Sequence, residues 1–267
     1  MFDQFIHRWL RVPYRLHTTV HIKGKPRLTV MMLHGIGNSE SVWDKVLEKL
    51  PDDIRVVTVD LLGFGQSPRP EWAEYNARTQ ARSVFATYVQ LAFYGQVVVV
   101  GHSLGALVAI ELARRHPLLV KALILCGPPL YYLDDDERKL LPKPEKVLTS
   151  IYKVLRDHPE EFVKFGELAV RYKLITNAFQ VNSDTVDVYM ATLESAIINQ
   201  TSMDDIVKLR CPIQLLHGRF DPVVVSQNLS LLEKTQPNIK LRHVASGHEI
   251  TGPMVGATAD AIAVWLH

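Results

Sequence analysis

Short apolar runs punctuate the chain, and most are followed by segments with apolar residues three and four positions apart. Leu28–Leu33 (LTVMML) is apolar on both faces, as a strand covered by helices on each side must be. Arg55–Asp60, Gln96–Val100, Val120–Leu125, Ile213–Leu216 and Lys240–Val244 repeat that pattern. Between them, Ser41–Leu50, Ala77–Tyr94, Leu104–His116, Val225–Thr235 and Gly256–Leu266 carry helical spacing. Strand and helix in alternation predict βαβ units: an α/β fold with a mostly parallel central sheet flanked by helices. Tyr14–Ile22 has polar positions among its apolar ones and suits an antiparallel edge strand or hairpin.

The alternation lapses once. From about Tyr131 to Ser202 no strand-like run occurs, only helical patterning in Glu145–Arg156, Glu160–Leu174 and Asp184–Asn199, broken by Pro142, Pro144 and Pro159. A parallel sheet needs a strand after each crossover, so these residues read as an inserted helical lid. The expected division is a core from 1–130 and 204–267, with the lid at 131–203.

Composition narrows the function classes. The 267 residues are 47% hydrophobic, and 30 Lys+Arg against 28 Asp+Glu leave a net charge of +2. That apolar fraction excludes a disordered chain, and the near-neutral balance gives no reason to expect a nucleic-acid partner. Two cysteines, Cys126 and Cys211, make neither a disulfide framework nor a metal cluster, and are expected to be inert buried thiols. No Sec-type signal and no apolar stretch of about 18 residues is present, so a cytoplasmic protein without an integral membrane segment is expected. Phe2, Phe5, Ile6, Trp9 and Leu10 would share one helical face beside Arg8 and Arg11. Such a face suits a lipid interface, but the commoner outcome, expected here, is packing on its own domain.

The strongest chemical signal is Gly101-His102-Ser103-Leu104-Gly105, placed directly after the run QVVVV and directly before a helical segment. G-x-S-x-G between a strand and a helix is the context of a nucleophile elbow, where a sharp turn lifts the serine clear of the sheet. Side chains two residues to either side would collide across that turn, hence the glycines. Ala106, Ala109 and Ala113 let the following helix approach the strands.

A serine hydroxyl needs a base to take its proton. Of 11 histidines, His34 and His102 precede Ser103, His243 lies inside a strand-like run, and His267 is terminal. His248 follows the last strand after the short turn Ala245-Ser246-Gly247, in a loop at the carboxyl edge, and is the expected base. The base needs a carboxylate to hold its tautomer and stabilise the imidazolium. Asp221, just past Ile213–Leu216 and ahead of Pro222, lies in the adjacent loop; Asp134–Asp136 and Glu137 are the rival acids. An oxyanion needs donors. The backbone N–H of Leu104, opening its helix, and that of Ile36, in His34-Gly35-Ile36-Gly37, are the expected pair.

These segments, together with Ser41-x-Trp43, Asp60-Leu61-Leu62-Gly63-Phe64-Gly65-Gln66-Ser67 and Ser246-Gly247-His248, resemble the α/β-hydrolase superfamily with a helical lid. The resemblance covers essentially the whole chain. It implies the same triad, Ser103, Asp221 and His248, with Ile36 and Leu104 as oxyanion donors. It also implies that Asp60–Ser67 is a structural loop at the sheet edge and that Trp43 packs near the pocket. Lid aromatics Tyr132, Tyr152, Phe165 and Tyr189 are candidate pocket residues, although core packing is the commoner role for such side chains.

Serine rather than aspartate at the elbow sets the chain apart from the dehalogenase and epoxide-hydrolase branches. The expected activity is hydrolysis of small to medium apolar carboxylic esters through an acyl-enzyme on Ser103. One alternative is the carbon–carbon bond hydrolase branch, whose members often carry tryptophan after the catalytic histidine, where this chain has Glu249. Another is a non-catalytic hydrolase-fold binding protein. No H-E-x-x-H, Walker or complete G-x-G-x-x-G pattern is present, so neither metal nor cofactor is expected.

Overall fold

A computed structural model describes residues 4–91, 95–131 and 184–266, together with residues 157, 160, 161, 163, 164, 181 and 182. Seven strands form one sheet: β1 (Thr18–Lys23), β2 (Leu28–Leu33), β3 (Ile54–Val59), β4 (Val97–His102), β5 (Val120–Cys126), β6 (Ile213–Gly218) and β7 (Ile239–Val244). Their spatial order is β1-β3-β2-β4-β5-β6-β7. β1 pairs antiparallel with β3 at the edge, and every other pairing is parallel. The alternating Tyr14–Ile22 segment therefore forms its strand at an edge, where its solvent-side positions remain wet. The runs in β2, β3, β4, β5 and β6 lie inside, covered on both faces, whereas Lys240–Val244, expected to match them, falls in the opposite edge strand β7 and leaves Lys240, Arg242 and His243 exposed.

Successive residues of each inner strand enter opposite layers. Met31, Leu33, Val57, Val59, Val97, Val99, Leu123 and Leu125 pack on one side with α2 (Ala77–Gln90) and α3 (Leu104–Arg115). Val30, Met32, Val56, Val98, Val100, Ala122 and Ile124 pack on the other with α1 (Asp44–Leu47) and α7 (Pro253–Ala263). Asn76 caps α2 by accepting the Thr79 N–H at 2.9 Å. The last helix starts earlier than Gly256, at Pro253, because proline at its first position has no N–H to leave unsatisfied.

Of the segments expected to form a lid, Asp184–Asn199 is helical as α4 (Val186–Thr192), continuing as a π-helical turn over Leu193–Ile198. It is followed by α5 (Ser202–Ile206), and α6 (Ser226–Thr235) lies between β6 and β7. Glu145–Arg156 and nearly all of Glu160–Leu174 lie outside the described residues. Among the described residues no helix is long and apolar enough to cross a membrane.

The N-terminal segment departs from expectation. Phe5–Trp9 is a π-helical turn in which Phe5, Trp9 and Leu10 face outward instead of packing on the domain. Phe2 lies outside the described residues. Both cysteines are free; Cys126 is buried as expected, and burial pushes its thiol up to about 12, whereas Cys211 is only half-buried, with its thiol raised by partial burial.

The Asp60 loop is built around one buried carboxylate. Asp60 Oδ1 accepts the Glu40 N–H at 2.7 Å and Oδ2 accepts the Gln66 N–H at 2.8 Å. Gly65 sits at φ +53, and a Cβ there would fall 2.1 Å from the Asp60 carboxyl carbon. Replacing Asp60 by alanine removes the acceptor from two part-buried backbone donors and empties the space that Gly65 leaves for the carboxylate. We expect Asp60→Ala to cost about 2–4 kcal/mol of unfolding free energy, measurable as a lowered denaturant midpoint. Wild-type stability in that variant would remove the carboxylate from its organising role.

Candidate active site

Every residue of the candidate triad sits just past the carboxyl end of a parallel strand. Ser103 follows β4 directly and opens α3, with φ +50 and ψ −115. A non-glycine residue at positive φ is strained, so the surroundings must over-determine it. They do so through hydrogen bonds and clearance. The Ser103 N–H donates to the Cys126 carbonyl at 3.0 Å, and the Ser103 carbonyl accepts the Ala106 N–H at 2.9 Å. A Cβ on Gly101 would lie 2.4 Å from the Gly105 carbonyl oxygen, and one on Gly105 would lie 2.2 Å from the Leu33 carbonyl oxygen. Only hydrogen fits at either position, so both glycines of the motif are required by packing.

His248 and Asp221 meet across the loops after β7 and β6. His248 Nδ1 is 2.7 Å from Asp221 Oδ2. Asp221 Oδ1 accepts the N–H groups of Val223 at 2.8 Å and Val224 at 3.2 Å. The two loops are stitched together by Arg219 N–H to the Val244 carbonyl and Phe220 N–H to the Ser246 carbonyl. Gly218 lets them touch, since a Cβ there would fall 2.2 Å from the Gly247 carbonyl oxygen. Gly127, at φ +54 after β5, passes close to the pair; a Cβ on it would lie 3.2 Å from both Asp221 Oδ2 and His248 Nδ1.

The electrostatics follow from burial and pairing. Burial disfavours the Asp221 carboxylate, but the His248 hydrogen bond and charge and the two backbone donors outweigh it and hold its pKa below the usual value. Burial likewise disfavours the His248 imidazolium. The Asp221 bond and charge, with the Glu249 charge behind them, reverse this and raise its pKa.

The two histidines set aside in the sequence are locked in neutral forms. His34 donates from Nδ1 to the Gly35 carbonyl at 2.7 Å and accepts the Leu61 N–H at Nε2, 2.9 Å away; burial lowers its pKa. His102 donates from Nε2 to the His248 carbonyl at 2.9 Å, and burial, helped by the neighbouring His248, pushes it down to about 3. His102 therefore holds the His248 backbone rather than offering a second base.

The loop after β2 approaches Ser103 closely. A Cβ on Gly35 would stand 2.8 Å from His102 Nδ1 and 3.3 Å from Ser103 Cβ. The turn bond of this loop runs from the Asn38 N–H to the Gly35 carbonyl at 3.2 Å, which leaves the Ile36 N–H outside it. Leu104 is the first residue of α3, where an N–H has no intrahelical acceptor and lies at the positive end of the helix. Ile36 thus belongs to the loop that approaches Ser103, and Leu104 directly follows it.

Glu249 was not singled out as a site residue by its pattern. Its side chain hydrogen-bonds Asn38, whereas its Oε2 is buried without a hydrogen-bond partner. Burial, and the Asp221 charge after it, raise its pKa against the opposing pull of His248 and Asn38. Tyr189 packs against the main core cluster, and burial with the Glu249 charge pushes its hydroxyl far above the usual value. The structure therefore brings Tyr189 to the side of the site that Glu249 occupies. Trp43 is fully buried in the opposite layer, among Val30, Met32 and Val46. Tyr132, Tyr152, Phe165 and the rival acids Asp134–Asp136 and Glu137 lie outside the described residues. Among the described residues no group of three His, Cys, Asp or Glu is arranged to hold a metal ion.

With this geometry in view, the comparisons with known proteins agree on one class. Residues 29–161 match a family model described as alpha/beta hydrolase fold. The chain has the α/β-hydrolase fold. A pimeloyl-[acyl-carrier protein] methyl ester esterase of Legionella pneumophila is 24% identical over 229 residues, covering 84% of this chain and 87% of that one. The probable lysophospholipase BODYGUARD 4 of Arabidopsis thaliana is 37% identical over 113 residues, 40% of this chain. The matched stretch spans only 26% of that relative's length. Among solved structures, an esterase from Thermogutta terrifontis superposes with a TM-score of 0.70 at 23% identity, covering 94% of this chain and 93% of that one.

The raised His248 pKa rests on Asp221, which gives a direct check. In Asp221→Asn the carboxylate charge is gone and the imidazolium loses its stabilising partner, so His248 should titrate at lower pH than in the wild type. Ring-proton NMR across pH 4–9 reads this shift. An unchanged or raised His248 pKa would show that the pair does not interact as described.

Proposed function

We propose that the chain is a serine hydrolase that cleaves carboxylic esters of small to medium apolar substrates through an acyl-enzyme on Ser103. The observation that carries this reading is the convergence at one sheet edge of a strained Ser103 and a buried Asp221–His248 pair bonded at 2.7 Å. The ester and hydrolase names of the relatives at lower identity support the same class.

In the proposed reaction, Ser103 Oγ attacks the ester carbonyl while His248 Nε2 takes the hydroxyl proton. The developing oxyanion accepts from the N–H groups of Ile36 and Leu104. Collapse of the tetrahedral intermediate breaks the bond to the alcohol oxygen, which receives the proton from His248 and leaves. Water then attacks the acyl carbonyl, losing its proton to His248, and the acid is released with Ser103 restored. Asp221 accepts from Nδ1–H throughout, so that Nε2 is the free base. The elevated His248 pKa makes the base scarce at low pH. Activity should rise with pH through an acidic limb above the ordinary histidine value.

The test is turnover of p-nitrophenyl esters from acetate to octanoate, combined with labelling by a fluorophosphonate probe. Ser103→Ala should lower kcat by on the order of 10⁵-fold or more, and Asp221→Asn by on the order of 10⁴-fold. The probe should modify Ser103 in the wild type. Labelling at another residue, or turnover in Ser103→Ala equal to the wild type, would sink the proposed nucleophile.

A further inference from the structure

Phe5, Trp9, Leu10 and Val12 are 53%, 76%, 59% and 44% exposed. Apolar side chains scattered singly over a surface are ordinary, but several from one short segment mark an interaction site. The segment is not a loose tail. The His7 ring stacks on Tyr14 with centroids 3.7 Å apart, and Tyr14 packs on Trp72 at 5.7 Å. His7 Nδ1 donates to the Val12 carbonyl at 2.7 Å, and Arg82 Nη2 donates to the Arg11 carbonyl at 2.7 Å. The backbone is thus fastened to the domain by its polar and aromatic residues, and this fastening turns Trp9 and its apolar neighbours to solvent.

Positive charge lies next to this apolar segment. Arg8 and Arg11 belong to the segment itself, and Arg78 and Arg82 come from the first two turns of α2. The four arginines line a cleft of about 460 Å³ beneath the segment. Glu74 is the one carboxylate in that lining, and it accepts a hydrogen bond from Asn76 Nδ2 at 3.2 Å. A protruding apolar ridge set in an excess of guanidinium groups has two complementary attractions for one kind of partner. The apolar side chains can enter the acyl boundary of a bilayer while the arginines meet headgroup phosphates.

We propose that this N-terminal face docks the protein on the surface of an anionic lipid bilayer. Trp9, Phe5 and Leu10 insert at headgroup depth, and Arg8, Arg11 and Arg78 contact the phosphates. The docking is peripheral and does not depend on Ser103 or on any turnover, so it stands or falls separately from the proposed esterase activity.

The experiment is co-sedimentation of the full chain with vesicles of phosphatidylcholine alone and of phosphatidylcholine with phosphatidylglycerol. Wild type should partition onto the anionic vesicles, much less onto the neutral ones, and less as salt rises. Arg8→Gln and Arg11→Gln should each weaken partitioning by about fivefold. The triple variant Phe5→Ala, Trp9→Ala, Leu10→Ala should lose at least tenfold at unchanged thermal midpoint and unchanged turnover of a soluble ester. No binding of wild type to anionic vesicles would overturn the proposal, as would equal binding by the triple variant. Sedimentation velocity supplies a further arm. A wild-type dimer that becomes a monomer in the triple variant would assign the face to self-association and overturn it. Binding of free inorganic phosphate in the arginine cleft, with no affinity for vesicles, would overturn it as well.

Discussion

Helix α3 lies so close to the sheet that a methyl group on Gly105 would come within 2.2 Å of the Leu33 carbonyl oxygen on β2. The chain leaves β4 and enters this helix within a single residue, and the only way through is the left-handed turn at Ser103. Gly101 and Gly105 remove the collisions that the turn would otherwise cause, and the Cys126 carbonyl fixes the Ser103 N–H from the neighbouring strand. Strain at one residue is therefore sustained by packing across β2, β4 and β5. Loosening that contact would free Ser103 to relax to negative φ, and its hydroxyl would then no longer be held clear at the edge of the sheet.

Burial at this edge also sorts three histidines into different electrical roles. His34, His102 and His248 are all desolvated, and desolvation alone pushes each toward the neutral form. His34 and His102 spend their ring protons on backbone carbonyls, which a neutral ring satisfies. His248 is bonded to a carboxylate at 2.7 Å, and Asp221 reverses the sign of its shift, whereas Asp60, 3.9 Å from His34, does not overcome burial there. One buried carboxylate thus raises the His248 pKa, while its neighbours become fixed struts. His102 is one of those struts, since its bond to the His248 carbonyl ties the turn at Ser103 to the loop that carries His248.

Much of this was legible in the residues, and the parts that were not share a cause. Strands such as Leu28–Leu33 stand out because both faces are buried and the whole run is apolar. Ser103, Asp221 and His248 were legible because each stands a short turn beyond a recognisable strand. Helix bounds slipped where capping overrode periodicity, as at Pro253. The locked tautomers of His34 and His102 and the burial of Glu249 beside Asn38 depend on which loops meet, and no local spacing encodes that. The outward turn of Trp9 is hidden for the same reason. The apolar face is visible in the sequence, but its direction is set by His7 stacking on Tyr14.

Parallel pairing is what collects these loops. In a parallel sheet every strand leaves by the same edge, so the loops after β2, β4, β5, β6 and β7 all emerge where Ser103 stands. β1 is the one antiparallel strand of the sheet, and it supplies none of the candidate site residues. The Asn38–Glu249 bond then joins the loop after β2 to the loop after β7, across the strands that lie between them. With the His102 bond to the His248 carbonyl, it links the loop after β2, the turn at Ser103 and the loop that carries His248 into one frame. Ile36, Leu104 and His248 are held relative to Ser103 by that frame and not by any single element, and in the proposed reaction such a frame sets the donors and the base before a substrate arrives.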